Sequence, residues 1–265
     1  MDLQLKGKRA LVTGGSRGIG KAIARRLALE GVDCAICARN EGPLKESAAE
    51  LAAESGRTIF PWVADTSDAA SIERLVSESA SALGGLDILV NSAARRSGPV
   101  PENLEHMTGE WLAQDFQEKL IGYFLCAKAA APYMKTAGWG RIINISGLAA
   151  RNAGAISAGA RNVSTANLAK NLAVELGPVG INVNAVYPGG TLTEKVREDM
   201  AERARTQGVP VQQLIQQMAA ATTIGRAVTP EDIANVVAFL ASPLSQAING
   251  QAIDVSGGLG RSIYY

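Results

Sequence analysis

The stretch LVTGGSRGIGKAI, residues 11–23, places a glycine-rich turn between an apolar strand-like run and a helix-forming segment. Glycine permits a tight turn because it has no Cβ and adopts positive φ without strain. The turn opens a helix, and the free backbone N–H groups of a helix N-terminus bind anions such as phosphate. A tight turn without a ligand is the alternative interpretation. The position directly after the first strand favours a phosphate site, and we predict that it is lined by Gly14, Ser16, Arg17, Gly18, Ile19 and Gly20.

Strand-like and helical segments alternate along the rest of the chain. Apolar runs occur at residues 9–13, 33–37, 58–63, 87–91, 141–145, 182–186 and 252–255, and helical periodicity at 18–29, 68–83, 108–134 and 230–240. This alternation is typical of crossover units that build a parallel sheet. We therefore predict an α/β fold with one domain over residues 1–265, a Rossmann-type doubly wound parallel sheet of about seven strands with helices on both faces. A polar segment at about residues 190–225 is expected to cover the substrate pocket.

Composition and charge exclude several classes of partner. The chain has 265 residues, of which 47% are hydrophobic, and a formal net charge of +1. A nearly neutral chain has no basic field for nucleic acid or for an anionic membrane surface. It contains neither an apolar run of about 18 residues nor a signal-peptide pattern. We expect a cytoplasmic protein that binds a small-molecule substrate.

The cysteines do not indicate a redox or metal site. Cys34 and Cys37 have the CxxC spacing, and the third cysteine, Cys126, lies far along the chain. Residues three apart in a strand point to opposite faces of the sheet. We interpret Cys34 and Cys37 as small buried hydrophobic residues rather than as a dithiol pair.

Further motifs follow the glycine turn in order. Asp65-Thr66, NSAA at 91–94, NVNAVYPG at 182–189 with two threonines beyond it, PEDI at 230–233 and NGQAIDVSGG at 249–258 each follow or form a predicted element. Together with the Gly-x-x-x-Gly-x-Gly spacing of the turn, they resemble the short-chain dehydrogenase/reductase family over nearly the whole chain. The resemblance implies a nicotinamide cofactor held, beyond the turn, by Asp65, Thr66, Asn91, Ala93, Pro188, Gly189, Thr191 and Thr193. It also implies a homo-oligomer, a tetramer or a dimer.

The residues after the second strand indicate which nicotinamide cofactor binds. An acidic side chain there would bind the ribose 2′-hydroxyl of NAD(H), but the chain has Ala38, Arg39 and Asn40. A guanidinium binds a 2′-phosphate through paired hydrogen bonds, and Arg17 is a second candidate cation. We therefore predict NADP(H), with Arg39 and Asn40 in its site. A solvated loop charge is the alternative role for Arg39.

The window that should carry the proton-transfer pair lacks both residues. No tyrosine occurs between Tyr133 and Tyr187, and no lysine between Lys135 and Lys170. The family's usual mechanism uses a tyrosine, a lysine four residues later, a serine and an asparagine. Matching NLAKNLAVEL at 167–176, GRIINISG at 140–147 and EKLIGYF at 118–124 to the family pattern assigns these four positions to Ala158, Asn162, Gly147 and Lys119.

Replacement catalytic residues can be proposed from the same matching. Lysine and asparagine look exchanged between positions 119 and 162, and a buried lysine with a lowered pKa can act as an acid or a base. Ser146 adjoins the serine position, and Tyr187 ends a strand near the expected cofactor. We predict a catalytic set of Lys119, Ser146, Asn162 and Tyr187. A surface position for Lys119, and a packing role for Tyr187, are the alternatives.

Other titratable residues are weaker candidates. Arg95, Arg96 and Arg161 could clamp an anionic substrate or face solvent, and Tyr264 and Tyr265 could reach a neighbouring subunit. His106 is expected in a loop or at a helix end. With one histidine and scattered acids, the sequence indicates neither a histidine triad nor a metal site.

Three functions remain open at this point. The first is an NADP(H)-dependent oxidoreductase that acts on a carbonyl or alcohol with a non-standard catalytic set. The second is a non-redox lyase or isomerase on the same scaffold, and the third is a catalytically inactive NADP(H)-binding pseudoenzyme. Fold alone does not separate them.

Overall fold

A seven-stranded parallel sheet forms the centre of the molecule, as the sequence predicts. The computed structural model describes residues 1–94 and 103–260. The strand order is β3-β2-β1-β4-β5-β6-β7, with bounds β1 Arg9–Thr13, β2 Asp33–Ala38, β3 Ile59–Val63, β4 Ile88–Asn91, β5 Gly140–Ile145, β6 Ile181–Pro188 and β7 Ala252–Val255. Because the order reverses after β3, β1 lies beside β4, and ligands bind at the carboxyl ends of strands at such a switch point.

Helices cover both faces of the sheet. They are α1 Gly18–Leu29, α2 Glu41–Ser55, α3 Ala69–Leu83, α4 Gly109–Phe116, α5 Gly122–Ala137, α6 Ile156–Leu176, α7 Glu194–Gln207, α8 Val211–Ala220 and α9 Pro230–Ala241. Short 3-10 turns occupy Leu148–Arg151, Gly177–Val179 and Pro243–Ser245. One core cluster contains side chains of α1, α2 and α9, and the other contains side chains of α3, α5 and α6. Burial on both faces explains why the strands read as continuous apolar runs.

The two neighbouring cysteines of β2 point to opposite faces, as predicted. Cys34 lies in the first core cluster and Cys37 in the second. Burial raises the pKa of each thiol to about 12, so both remain protonated and unreactive near neutral pH.

Two of the differences from the predicted element bounds are at helix caps. The predicted starts at Asp68 and Thr108 are the N-caps of α3 and α4, where each side chain accepts a backbone N–H of the first turn. Such residues read as helical in a periodicity pattern although their own backbone is extended. Strand β6 is longer than predicted and includes Tyr187 and Pro188, which pair with β7.

The predicted single helix over residues 108–134 is interrupted, and this prediction is corrected. A π-helical turn at Gln117–Ile121 separates α4 from α5. At the end of this turn the backbone passes close to the loop after β3, since a Cβ on Gly122 would lie 2.4 Å from the Thr66 carbonyl oxygen. A π turn adds a residue to the helix and often marks a functional site. The apolar periodicity of the sequence does not indicate a π turn.

Residues 190–225 form the pair α7 and α8 beyond β6. Met218 of α8 lies against Gly190, where an added Cβ would come within 3.0 Å of the Met218 methyl carbon. Among the described residues, no helix is long and apolar enough to cross a membrane.

Candidate active site

A cleft of about 540 Å³ opens at the carboxyl ends of the strands around the switch point. Parallel strands direct their carboxyl ends to the same edge, so residues far apart in sequence meet there. Most of the predicted cofactor residues line this cleft, namely Gly14, Ser16, Arg17, Gly18, Ile19, Gly20, Arg39, Asn40, Asp65, Thr66, Ala93, Pro188, Gly189 and Thr193.

The glycine turn is held tightly against its surroundings. Gly14 has φ +71°, and a Cβ there would lie 3.0 Å from the Ala93 backbone. A Cβ on Gly20 would lie only 2.2 Å from the Gly14 carbonyl oxygen. The Ser47 hydroxyl donates to the Ser16 carbonyl oxygen at 2.7 Å and fixes the middle of the turn. The result is a rigid backbone cradle that a side chain at either glycine would fill.

The N-terminus of α1 faces the cleft without a side-chain cap of its own. The N-cap is Arg17, which makes no capping hydrogen bond, and the first turn has no acidic residue. The Gly18 N–H instead donates to Glu194 Oε2 at 3.0 Å, from the first residue of α7. A carboxylate therefore lies where the helix N-terminus favours an anion.

Cations are arranged around the same end of the cleft. Arg17, Arg39 and Lys195 all line it, and the charges of Arg17 and Lys195 act on each other. Within the described ranges, Arg17 and Arg39 form no ion pair with an acidic side chain. The backbone cradle, the helix N-terminus and these cations fit the pyrophosphate and adenosine phosphate of a dinucleotide cofactor.

Two predicted cofactor residues do not line the cleft. Asn91 is fully buried under it, and its amide donates to Asn144 Oδ1 at 2.9 Å and to the Tyr123 carbonyl oxygen at 3.4 Å. Thr191 is buried in a short bridge to Val228, and its hydroxyl donates to the Gly189 carbonyl oxygen at 3.2 Å. Both side chains stabilise the loops that carry the lining residues.

Lys119 lies in the cleft wall beside the carboxyl end of β5. Lys119 is only 4% exposed. Nζ donates to the Ser146 carbonyl oxygen at 2.8 Å and to Asn162 Oδ1 at 3.0 Å. Lys119 and Asn162, the two positions of the predicted exchange, therefore face each other. The alternative of a surface lysine is excluded.

Burial lowers the pKa of Lys119 well below its usual value, and the neighbouring Arg161 lowers this pKa further. Asp115 acts in the opposite direction. The low dielectric of the site penalises the ammonium form, which makes proton release easier than from an exposed lysine.

The π turn explains how Lys119 reaches this position. Lys119 is the central residue of Gln117–Ile121, and Tyr123 just beyond the turn donates its hydroxyl to the Ile145 carbonyl oxygen at 3.0 Å. This hydrogen bond links α5 to the carboxyl end of β5. The extra residue of the π turn directs Lys119 toward the same strand end.

Ser146 lines the cleft, but its hydroxyl proton already takes part in a hydrogen bond within the protein. Its hydroxyl donates to the Asn162 backbone carbonyl oxygen at 3.0 Å. At the neighbouring position, a Cβ on Gly147 would lie 2.7 Å from Asn162 Nδ2. A serine at 147 is therefore incompatible with this placement of the Asn162 amide. The substitutions at 147 and 162 are structurally coupled.

Tyr187 is placed differently from the prediction. It is 4% exposed in the second core cluster and is absent from the residues found to line the cleft. The Arg151 guanidinium lies 5.0 Å from its ring centroid, and burial raises the pKa of its hydroxyl. Tyr187 therefore packs in the core.

The remaining candidates have mixed outcomes. Arg161 is not solvent-facing, since its guanidinium pairs with Asp115. Ala158, at the usual tyrosine position, lies in the first turn of α6 and carries no proton donor. His106 lies in the loop before α4, where its backbone N–H donates to Asn103 Oδ1. Arg95, Arg96, Tyr264 and Tyr265 lie outside the described residues.

Sequence reasoning missed several residues of the site. Glu194 and Lys195 enter the cleft from α7, and Glu118 enters beside Lys119. Asp115 forms a buried ion pair next to Lys119. Their spacing matches no binding motif, and only a helix-period argument could have placed Asp115 and Lys119 on one face. Among the described residues, no cluster of histidine, cysteine, aspartate or glutamate could hold a metal ion.

Known proteins resemble this chain over almost its whole length. A family model described as Enoyl-(Acyl carrier protein) reductase matches residues 14–260. A short-chain dehydrogenase/reductase from Armillaria gallica is 36% identical over 264 residues, covering 96% of each chain. The 3-oxoacyl-(acyl-carrier-protein) reductase FabG from Staphylococcus aureus is 35% identical over 258 residues, covering 95% of this chain and 98% of its own.

A solved structure agrees with the fold. The L-sorbose reductase from Gluconobacter frateurii, solved in complex with NADPH and L-sorbose, superposes with a TM-score of 0.94 at 28% identity and covers 99% of this chain and 100% of its own. With the glycine turn, the sheet order and these relatives taken together, the chain belongs to the short-chain dehydrogenase/reductase family.

Proposed function

We propose that the protein is an NADP(H)-dependent oxidoreductase that interconverts a carbonyl and an alcohol, with Lys119 as its acid/base. The observation that carries the proposal is the position of Nζ: buried, in the cleft wall, and held by Ser146 and Asn162. A lysine in that position takes the place of the absent tyrosine as proton donor. Asn162 and the Ser146 backbone orient it.

The proposed cofactor is supported by charge at the other end of the cleft. Arg39 follows β2 where a carboxylate would select a ribose 2′-hydroxyl, and Arg17 lies near it on the cleft wall. Two guanidinium groups favour a 2′-phosphate. The NADPH complex of the structurally similar L-sorbose reductase supports the same cofactor. When bound, NADPH supplies the hydride.

The proton is the contribution of the protein itself. An ammonium group has three N–H donors, and Lys119 gives two of them to Ser146 and Asn162. The third is available to a substrate oxygen in the cleft. In reduction, Lys119 donates this proton to the oxygen of the former carbonyl and regains one from water. In oxidation, neutral Lys119 accepts the alcohol proton.

The Lys119→Met variant tests the proposal. Methionine keeps the volume of the side chain but removes the proton, so kcat should fall at least about 100-fold. The dissociation constant of NADPH should change less than about twofold, because the phosphate end of the cleft is untouched. Turnover is measured on NADPH with ketones, aldehydes, a 3-oxoacyl thioester and L-sorbose, the last two taken from the relatives.

Lys128→Met is the matched control, since Lys128 is an exposed residue of α5. It should leave both turnover and NADPH binding unchanged. Turnover in Lys119→Met equal to that of the unmodified protein would overturn the role of Lys119.

A second candidate function is an inactive NADP(H)-binding protein. The observation that favours it is the hydrogen bond of the Ser146 hydroxyl. This hydroxyl donates its proton to the Asn162 carbonyl oxygen, so it cannot also donate to a substrate carbonyl. NADPH binding by the unmodified protein without turnover on any compound of the panel would support this function over the first.

A further inference from the structure

A buried charge cluster lies directly behind Lys119. Asp115 of α4 accepts hydrogen bonds from the Ser157 hydroxyl and the Arg161 guanidinium, both of α6. Asp115 and Ser157 are 8% and 1% exposed, and the Arg161 side chain is 16% exposed. All three lie outside the set of residues that line the cleft. The cluster therefore joins two helices and lies outside the lining of the described cleft.

The cluster is connected to Lys119 from both sides. Asp115 precedes Lys119 by four residues, about one helical turn, and Arg161 adjoins Asn162, which binds Nζ. Opposite charges at these two positions act on the ammonium with opposite signs, since Asp115 favours the charged form and Arg161 disfavours it. Little water screens these interactions because every member is buried or nearly so.

The other groups around Lys119 do not provide this control. From α5, the Tyr123 ring centroid lies 5.9 Å from Nζ, and its buried hydroxyl stays protonated because burial raises its pKa. From β5, Ser146 presents its backbone carbonyl oxygen. From α6, Asn162 presents a neutral amide. Within residues 1–94 and 103–260, the formal charges that act on Lys119 are those of Asp115 and Arg161.

We infer that Asp115 and Arg161 are positioning residues that together control whether Lys119 carries a proton, with Ser157 holding the Asp115 carboxylate in place. This inference rests on the proposed acid/base role of Lys119. The two residues act on Lys119 in opposite directions. The Asp115 carboxylate keeps part of Lys119 in the ammonium form for proton donation, and the Arg161 guanidinium prevents Lys119 from remaining permanently charged beside Asp115. Loss of either member shifts the balance in a predictable direction.

The titration of Lys119 can be measured without turnover. Protein labelled with ¹³C and ¹⁵N in lysine is titrated by NMR, and the Lys119 signal is assigned by its loss in Lys119→Met. Asp115→Asn should move the midpoint to lower pH by about one pH unit, and Arg161→Met should move it to higher pH by a similar amount. The double variant should return to within about half a pH unit of the unmodified protein.

Charge-conserving variants show whether charge or packing is responsible. Arg161→Lys and Asp115→Glu should leave the midpoint nearly unchanged. If Arg161→Met does not fold, as judged by circular dichroism and NADPH binding, Arg161→Gln carries the same test. Shifts of the same sign in both single variants, or no shift in either, would overturn the inference.

The outcome is separable from that of the proposed function. Opposite shifts with unchanged turnover in Lys119→Met would keep the charge balance and reject the catalytic role. Lost turnover in Lys119→Met without the opposite shifts would keep the role and reject the balance.

Discussion

The two ends of the cleft are built in different ways. The glycine turn lies within seven consecutive residues, and its shape follows from a strand, a turn and a helix that are neighbours in the chain. The lysine corner joins Lys119 to Ser146 and Asn162 across 27 and 43 residues of sequence. The first end is a local motif, and the second exists only because β5, α6 and the π turn meet. The glycine turn can therefore be predicted from the sequence, whereas the surroundings of Lys119 depend on tertiary packing.

The two ends also differ in electrostatics. At the turn, several cations line the cleft near a helix N-terminus that has no cap from its own N-cap side chain. At the corner, one ammonium is buried with two acceptors. Phosphate binding tolerates water, whereas the tuning of a lysine requires its exclusion. Variants at one end should therefore leave the property of the other end intact.

The largest effect on one end of the cleft alone is expected from Gly20→Ala. The new Cβ would lie 2.2 Å from the Gly14 carbonyl oxygen, so the turn has to open. A backbone displacement of this kind costs about 1–3 kcal/mol, and if this cost is borne on binding, NADPH should bind roughly 5- to 150-fold more weakly. Isothermal titration calorimetry measures the change.

Gly42→Ala is the control for this variant, because a Cβ on Gly42 meets no atom within 4 Å. It should bind NADPH like the unmodified protein. Unchanged NADPH binding in Gly20→Ala would contradict the assignment of the turn as the phosphate cradle.

Arg39→Met should reduce the preference for NADPH. Loss of a guanidinium bonded to phosphate costs about 1.5–3 kcal/mol, so the dissociation constant of NADPH should rise about tenfold or more. The dissociation constant of NADH should stay the same, because NADH has no 2′-phosphate.

The ratio of the two constants is the measurement. Arg25→Met, on α1 but outside the cleft, should leave this ratio unchanged. An equal loss of affinity for both cofactors would indicate a structural role for Arg39.

Asn162→Asp tests the lysine corner through pH. A carboxylate within hydrogen-bonding distance of Nζ raises the pKa of Lys119, so the ammonium persists to higher pH. The rate of carbonyl reduction, which needs the ammonium, should then be lost at a pH about one unit higher than in the unmodified protein. The pH dependence of kcat is measured for both proteins.

Asn171→Asp, an exposed position on the same helix, should leave the pH profile unchanged. A profile that does not move in Asn162→Asp would mean that another group limits the reaction.

The smallest effect is expected from Glu194→Gln. Its carboxylate competes with phosphate for the N-terminus of α1, and removal of one charge there changes binding by about 0.3–1 kcal/mol. NADPH should bind roughly two- to fivefold more tightly. Glu202→Gln, on the same helix and paired with Arg205 outside the cleft lining, is the control and should have no effect. Weaker binding in Glu194→Gln would show that the carboxylate supports the site instead of competing for it.

Much of the fold was predictable because its signals are local. The seven strands and the capped helices follow from apolar runs, from turn residues and from capping side chains such as Asp68 and Thr108. The cleft followed as well, since parallel strands collect the loop residues at one edge. Asn91 and Thr191 were assigned to the cleft because their motifs lie next to it in sequence, but their side chains bond to the interior instead.

The site chemistry was less predictable for a different reason. The sequence alone determined the doubly wound sheet, the glycine turn after β1, and a window between residues 135 and 170 with neither tyrosine nor lysine. Tertiary structure decided that Lys119 is buried against Asn162, that Tyr187 packs in the core, and that Asp115 and Arg161 flank the lysine. Backbone shape follows from neighbours in the chain, whereas the charge state of a buried amine depends on which distant groups exclude water and surround it.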